Sequence, residues 1–180
     1  TGDFTVKAIS FSEQEYYPKP TGNKVLVSPA ANTTKQISRS ITNKYSTVVY
    51  AAYIVNFQYG GSDKWVGAYL MEDGVNKVYF GEMGGQDQKL GVHPAGGSHG
   101  RGTTLSAGTG NDYVVILKYD ISADHAYVSS FQIGTESIPE DEPASWDVDY
   151  DNVNADGGGF WINGIKLEAG SGTEVTPGNG

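Results

Sequence analysis

Cysteine is absent from the 180 residues. No disulfide and no thiolate zinc site is therefore available, and the fold must rest on its core alone. Positive charge is scarce: 12 Lys and Arg stand against 21 Asp and Glu, a formal net charge of −9. A chain of that sign repels phosphate, which argues against nucleic acid as a partner. No apolar run approaches the roughly 18 residues of a membrane-spanning helix, so no membrane span is expected. Helix signals are missing too, because apolar residues nowhere recur at i, i+3, i+4 and i+7 over several turns. The chain begins Thr1-Gly2-Asp3 rather than with methionine. That reads as a matured or excised form and makes an extracellular location, secreted or on the cell surface, the expectation.

Glycine and tyrosine are abundant, at 25 and 12 residues. A chain of this length reads as one domain over residues 1–180 that buries about 70% of its unfolded surface. Short β-branched and aromatic runs recur between Gly, Pro, Asn and Asp. Residues 4–11, 24–28, 36–41, 48–57, 65–71, 77–80, 113–119, 126–133 and 160–167 read as strands. Residues 48–57 and 113–119 are apolar on both faces, as in strands covered from both sides. They are expected to form the centre of one sheet. Asp73-Gly74 between two apolar runs predicts a tight hairpin. Many short strands with turn residues between them predict an all-β fold, a two-sheet antiparallel β-sandwich or jelly roll. Residues 91–112 and 134–159 lack strand character, and residues 170–180 read as a Gly-rich tail.

The acidic stretch carries the strongest chemical signal. Residues 134–159 hold eight acids and no Lys or Arg. In Trp146-Asp147-Val148-Asp149-Tyr150-Asp151 the carboxylates alternate, so an extended chain places three of them on one face. Hard cations relieve such repulsion, and calcium takes six to eight oxygen ligands. Asp147, Asp149, Asp151, Asp156, Glu140 and Asp141 are the candidate calcium ligands. The spacing is not that of an EF-hand, whose sixth and twelfth positions fall here on Asn152 and Gly158.

Other patterns carry less. Gly96-Gly97-Ser98-His99-Gly100 fits G-x-S-x-G, but that motif needs a strand-to-helix turn and no helix follows. His93, His99 and His125 match no closed zinc spacing. The acids crowd into one segment instead of facing each other across a cleft, so glycosidase chemistry is not favoured. The chain is therefore read as non-enzymatic. Trp146, Tyr16 and Tyr17 lie in polar surroundings and are candidate platforms for stacking a sugar. Residues 4–11, with Phe4, Val6, Ala8, Ile9 and Phe11, form an apolar strand at the start of the chain with Lys7 as its one charge. An edge so poorly protected suits donation to a neighbouring subunit's sheet.

Several stretches resemble the laminin-G/concanavalin-A-like jelly-roll modules of secreted proteins. They are Gly22-Asn23-Lys24-Val25-Leu26-Val27, Ile37-Ser38-Arg39-Ser40, Val49-Tyr50-Ala51-Ala52-Tyr53, Tyr113-Val114-Val115-Ile116-Leu117-Lys118-Tyr119 and Ile162-Asn163-Gly164-Ile165. The resemblance implies the fold, with glycan, protein or calcium binding among such modules. An acidic, cysteine-free jelly roll of this size also resembles the cannula subunits of archaea. That likeness implies extracellular tubes built by strand donation, with calcium at the interfaces. The expectation is a structural subunit that forms a homopolymer, with binding to an extracellular glycan as the alternative.

Overall fold

The computed structural model describes residues 4–12, 25–27, 35–57, 64–82, 89–94, 102–104, 111–139, 141–151, 153 and 160–171. Among them are twelve strands: β1 (Phe4–Ser12), β2 (Val25–Val27), β3 (Lys35–Tyr45), β4 (Val48–Phe57), β5 (Lys64–Glu72), β6 (Val75–Glu82), β7 (Lys89–Pro94), β8 (Gly102–Thr104), β9 (Asn111–Asp120), β10 (His125–Gln132), β11 (Val148–Asp151) and β12 (Ile162–Ser171). They form two six-stranded antiparallel sheets. Sheet A runs β11-β10-β9-β4-β1-β2 and sheet B runs β3-β12-β5-β6-β7-β8. The chain is an all-β sandwich.

Alternation along the strands builds the core between the sheets. Val49, Ala51, Tyr53 and Val55 of β4 and Val115, Leu117 and Tyr119 of β9 face inward from sheet A. Val66, Ala68, Leu70, Val78, Phe80, Leu90, Val92, Ile165 and Leu167 meet them from sheet B. Each fully buried aliphatic side chain here is worth roughly 1.5–3 kcal/mol. The expectation for residues 48–57 and 113–119 holds. β4 and β9 pair along their whole length, from Val48↔Asp120 to Phe57↔Asn111. Their outward residues Ala52, Val114 and Ile116 are also buried, in a second small cluster with Ile54, Phe131 and Trp146.

The hairpin at Asp73-Gly74 also forms. Both residues have positive φ, 46° and 86°, and they join Glu72 to Val75. Its tip is clasped by β12: Asp73 N–H donates to Asn163 Oδ1 and Asn163 Nδ2 donates to Asp73 Oδ1, both at 2.7 Å.

Three strands lie where none was expected. β7 and β8 fall at or inside residues 91–112, and β11 falls inside 134–159. Lys89–Pro94 carries Gly91 and a proline, and Val148–Asp151 alternates two acids with two apolar residues. β11, at the margin of sheet A with Asp149 and Asp151 exposed, has one solvated face and needs few apolar residues, so its run is short and mixed. β12 reaches Ser171, which takes the first two residues of the expected tail into sheet B. β1 is not an outermost strand either. It lies between β4 and β2, although β2 covers only Phe4, Val6 and the residue between them.

Sheet B is close-packed at two facing glycines. Gly67 and Gly81 are partners across β5 and β6. A Cβ on Gly81 would lie 2.5 Å from Gly67 Cα, 2.6 Å from Val66 O and 2.7 Å from Tyr53 Oη, and its φ is 145°. Steric contact and backbone strain thus act together. Gly81→Ala should destabilise the fold by about 2–4 kcal/mol, measured by urea unfolding. A loss below about 0.5 kcal/mol would mean the strands can separate at no cost.

Candidate functional site

The outer face of sheet A is laid out by strand register. Tyr50 of β4 opposes Lys118 of β9, Lys118 opposes Tyr127 of β10, and Tyr127 opposes Asp149 of β11. One row therefore crosses four strands with all four side chains on the same face. The next row towards the β9–β10 turn carries Asp120, His125 and Asp151.

Glu142, from the acidic stretch, lies over this face. Its Oε1 accepts from Lys118 Nζ at 2.6 Å and its Oε2 accepts from Tyr50 Oη at 2.8 Å. Burial alone would raise the Glu142 carboxyl. Hydrogen bonds from Lys118, Tyr50 and Trp146, with the Lys118 charge, outweigh it and hold the group below the usual carboxylate range. Burial would lower the Lys118 ammonium, yet the bond to Glu142 and the nearby charges raise it. Burial and the bond to Glu142 push the Tyr50 phenol up. A single carboxylate thus pins the acidic stretch onto the sheet, and Trp146 and Pro143 follow it down.

The aromatic residues line up beside this anchor. Tyr127 stacks on His125 at 4.2 Å between centroids and 11° between planes. Trp146 meets Tyr127 at 5.7 Å and 43°. Lys118 Nζ lies 5.3 Å from the Tyr127 ring centre. Trp146 is half-buried, so its ring serves both as a cover for Ile116 and as accessible surface.

The expected alternation at residues 146–151 is present. Val148 is buried while Asp147, Asp149 and Asp151 are exposed. Their charges are met across strands by partners remote in sequence. Asp149 Oδ1 contacts His125 Nε2, and Asp151 Oδ1 lies 2.5 Å from His125 Nδ1. His125 thus bridges the two carboxylates, with one at each ring nitrogen. Asp147 Oδ2 accepts from Ser130 N–H at 3.0 Å, and Asp147 N–H donates to Ser129 Oγ at 3.1 Å. Asp141 is exposed. Glu140, Asp156, Tyr16 and Tyr17 lie outside the described residues. Among the described residues no group of three or more His, Asp or Glu forms that could hold a metal ion. The site residues in β1, Phe4, Val6, Ala8, Ile9 and Phe11, belong to the strand beside β4, and β4 and β9 separate them from β10 and β11.

Sequence reasoning missed Tyr50, Lys118, Tyr127 and the role of Glu142, and weighed His125 only as a zinc ligand. The period of two in residues 126–133 places Tyr127 outward, and pairing across the turn at 121–124 would have set it beside Lys118. What lies over that face is not legible from periodicity, because the Glu142 contacts span 24 and 92 residues.

No family model, no curated protein and no solved structure matches this chain.

Glu142 sets a pH dependence. Its folded carboxyl lies below its unfolded value of about 4.3. The stability it adds is present above that value and is lost as the pH falls through the lower, folded one. Glu142→Gln should cost about 1 kcal/mol near neutral pH, discounted for its partial exposure. It should also flatten the acid limb of stability, measured by thermal unfolding from about pH 7 to about pH 3. An unchanged acid limb would show that Glu142 does not anchor the segment.

Proposed function

We propose that this protein is an exported, non-enzymatic structural subunit. It assembles into an extracellular filament or tube by exchange of β1 between neighbouring copies, with calcium bound by the acidic stretch. The observation that carries this reading is the attachment of the N-terminal strand pair. Among the described residues, β2 pairs with β1 alone, and β1 is joined to the rest of sheet A by one ladder, to β4, from Thr5↔Asn56 to Ser12↔Tyr50. Those backbone bonds are the same whether β1 comes from its own chain or from the next, which is the condition for exchanging an identical element between protomers. The ladder shifts register between Val6 and Ala8, and such irregularities mark places where pairing is readily ended.

Calcium belongs to the same reading. Asp149 and Asp151 are 65% and 72% exposed and share the single His125 ring. Two exposed carboxylates gathered at one ring suit a divalent cation at an interface, because calcium takes carboxylate oxygens as ligands.

A second reading has its own observation. Trp146, Tyr127 and His125 form a contiguous aromatic array with Asp149 and Glu142 beside it. Aromatic faces flanked by carboxylate acceptors suit the stacking and hydrogen bonding of a glycan. One experiment separates the two. Light scattering and electron microscopy with added calcium should show long assemblies of the whole chain. Removal of residues 1–11 should stop growth, and a peptide of that sequence should cap the open β4 edge. A chain that stays monomeric at high concentration with calcium, and whose tryptophan fluorescence responds to soluble polysaccharide, would favour the glycan reading.

A further inference from the structure

Among the described residues, each sheet ends on a strand that pairs on one side. β3 closes sheet B and β11 closes sheet A. A free edge offers a row of N–H and C=O groups to another chain, and proteins usually shorten or charge it. β3 is long, 11 residues, and residues 36–40 are all exposed, including Ile37 at 44%. Its charges are of one sign, Lys35, Arg39 and Lys44, and it stays positive with Lys44 paired to Asp73 at 3.8 Å. These are three of the 12 bases in a chain that carries 21 acids. The edge at β11 has the opposite sign. Asp147, Asp149 and Asp151 lie on or beside it, and it remains negative with His125 counted as one positive charge.

The two edges cannot meet within one chain. β7, next to the end of sheet B that is remote from β3, packs against β10 and β11. β11 therefore lies at one margin of the sandwich and β3 at the other. Two β3 edges repel each other, and so do two β11 edges, whereas β3 and β11 attract. The charge pattern thus disfavours symmetric dimers and favours a head-to-tail contact.

We propose that β3 of one copy pairs edge to edge with β11 of the next. The contact uses different surfaces on its two sides, so it propagates into a ring or an open filament and does not stop at a dimer. It joins completed sandwiches that each keep their own β1, and so goes beyond strand exchange and is independent of it.

Charge exchange tests it on the full chain. Lys35→Glu with Arg39→Glu makes both edges acidic, and Asp149→Lys with Asp151→Lys makes both basic. Each double variant alone should associate at least about tenfold more weakly than the parent chain in sedimentation velocity at low salt with a calcium chelator present, which removes any contribution of bound calcium at Asp149 and Asp151. An equimolar mixture of the two should recover association, because each basic edge then meets an acidic one. Melting temperatures near that of the parent establish that the variants fold. If Asp149→Lys with Asp151→Lys does not fold, Asp149→Asn with Asp151→Asn replaces it and should weaken association and its salt dependence. Unchanged association of folded variants, or a mixture no better than its parts, overturns the edge contact. A peptide of residues 1–11 distinguishes the two interfaces: it blocks growth by strand exchange and leaves the edge contact intact.

Discussion

The ladder between β4 and β9 sets the terms for the rest of the molecule. These strands are apolar on both faces, so pairing them creates a sheet that must be covered twice. Sheet B covers one side, with Leu70, Phe80, Val92 and Leu167 packed against Ala51, Tyr53, Val115 and Leu117. The other side carries Ala52, Val114 and Ile116, which are just as dry. Trp146 and Phe131 pack there, and Glu142 fastens the acidic stretch to Tyr50 and Lys118 beside them. The stretch that looks most like a soluble appendage in composition is therefore a structural cover. Its carboxylates are tolerated because the face beneath supplies an ammonium, a phenol and an imidazole.

Charge is consequently local in this protein. The net −9 describes no single surface. Asp149 and Asp151 share His125, Glu142 holds Lys118, Lys166 bonds Glu168 at 2.7 Å, and Lys77 pairs with Glu72 at 2.9 Å. β3 carries an excess of bases along one margin while acids gather at the other. Such a dipolar arrangement says more about orientation between copies than about stability, since exposed ion pairs are each worth about 0–1 kcal/mol.

How much of this was legible follows from which physical signals are local. The doubly apolar runs at 48–57 and 113–119 announced a central pair, and Asp73-Gly74 announced its hairpin, because both depend on neighbours in sequence. β7, β8 and β11 were not announced, because a mixed strand such as Val148–Asp151 is extended only by virtue of its pairing with β10. The alternation of Asp147, Asp149 and Asp151 was read correctly, but His125, the partner of Asp149 and Asp151, lies 24 residues from Asp149, and no spacing rule links them. Likewise Glu142 is one acid among eight in its segment until Tyr50, 92 residues away, singles it out.

The central claim is that the β1–β2 pair is a separable unit, paired among the described residues only through the β1–β4 ladder, on a sandwich whose own centre is β4–β9. Native-state amide hydrogen exchange tests it most directly. Amides of β9, and those of β4 bonded to β9, should exchange only through global unfolding. Amides of β1, and those of β4 bonded to β1, should exchange together and at least about tenfold sooner, through one shared opening. Protection of β1 equal to that of β9 would contradict the account.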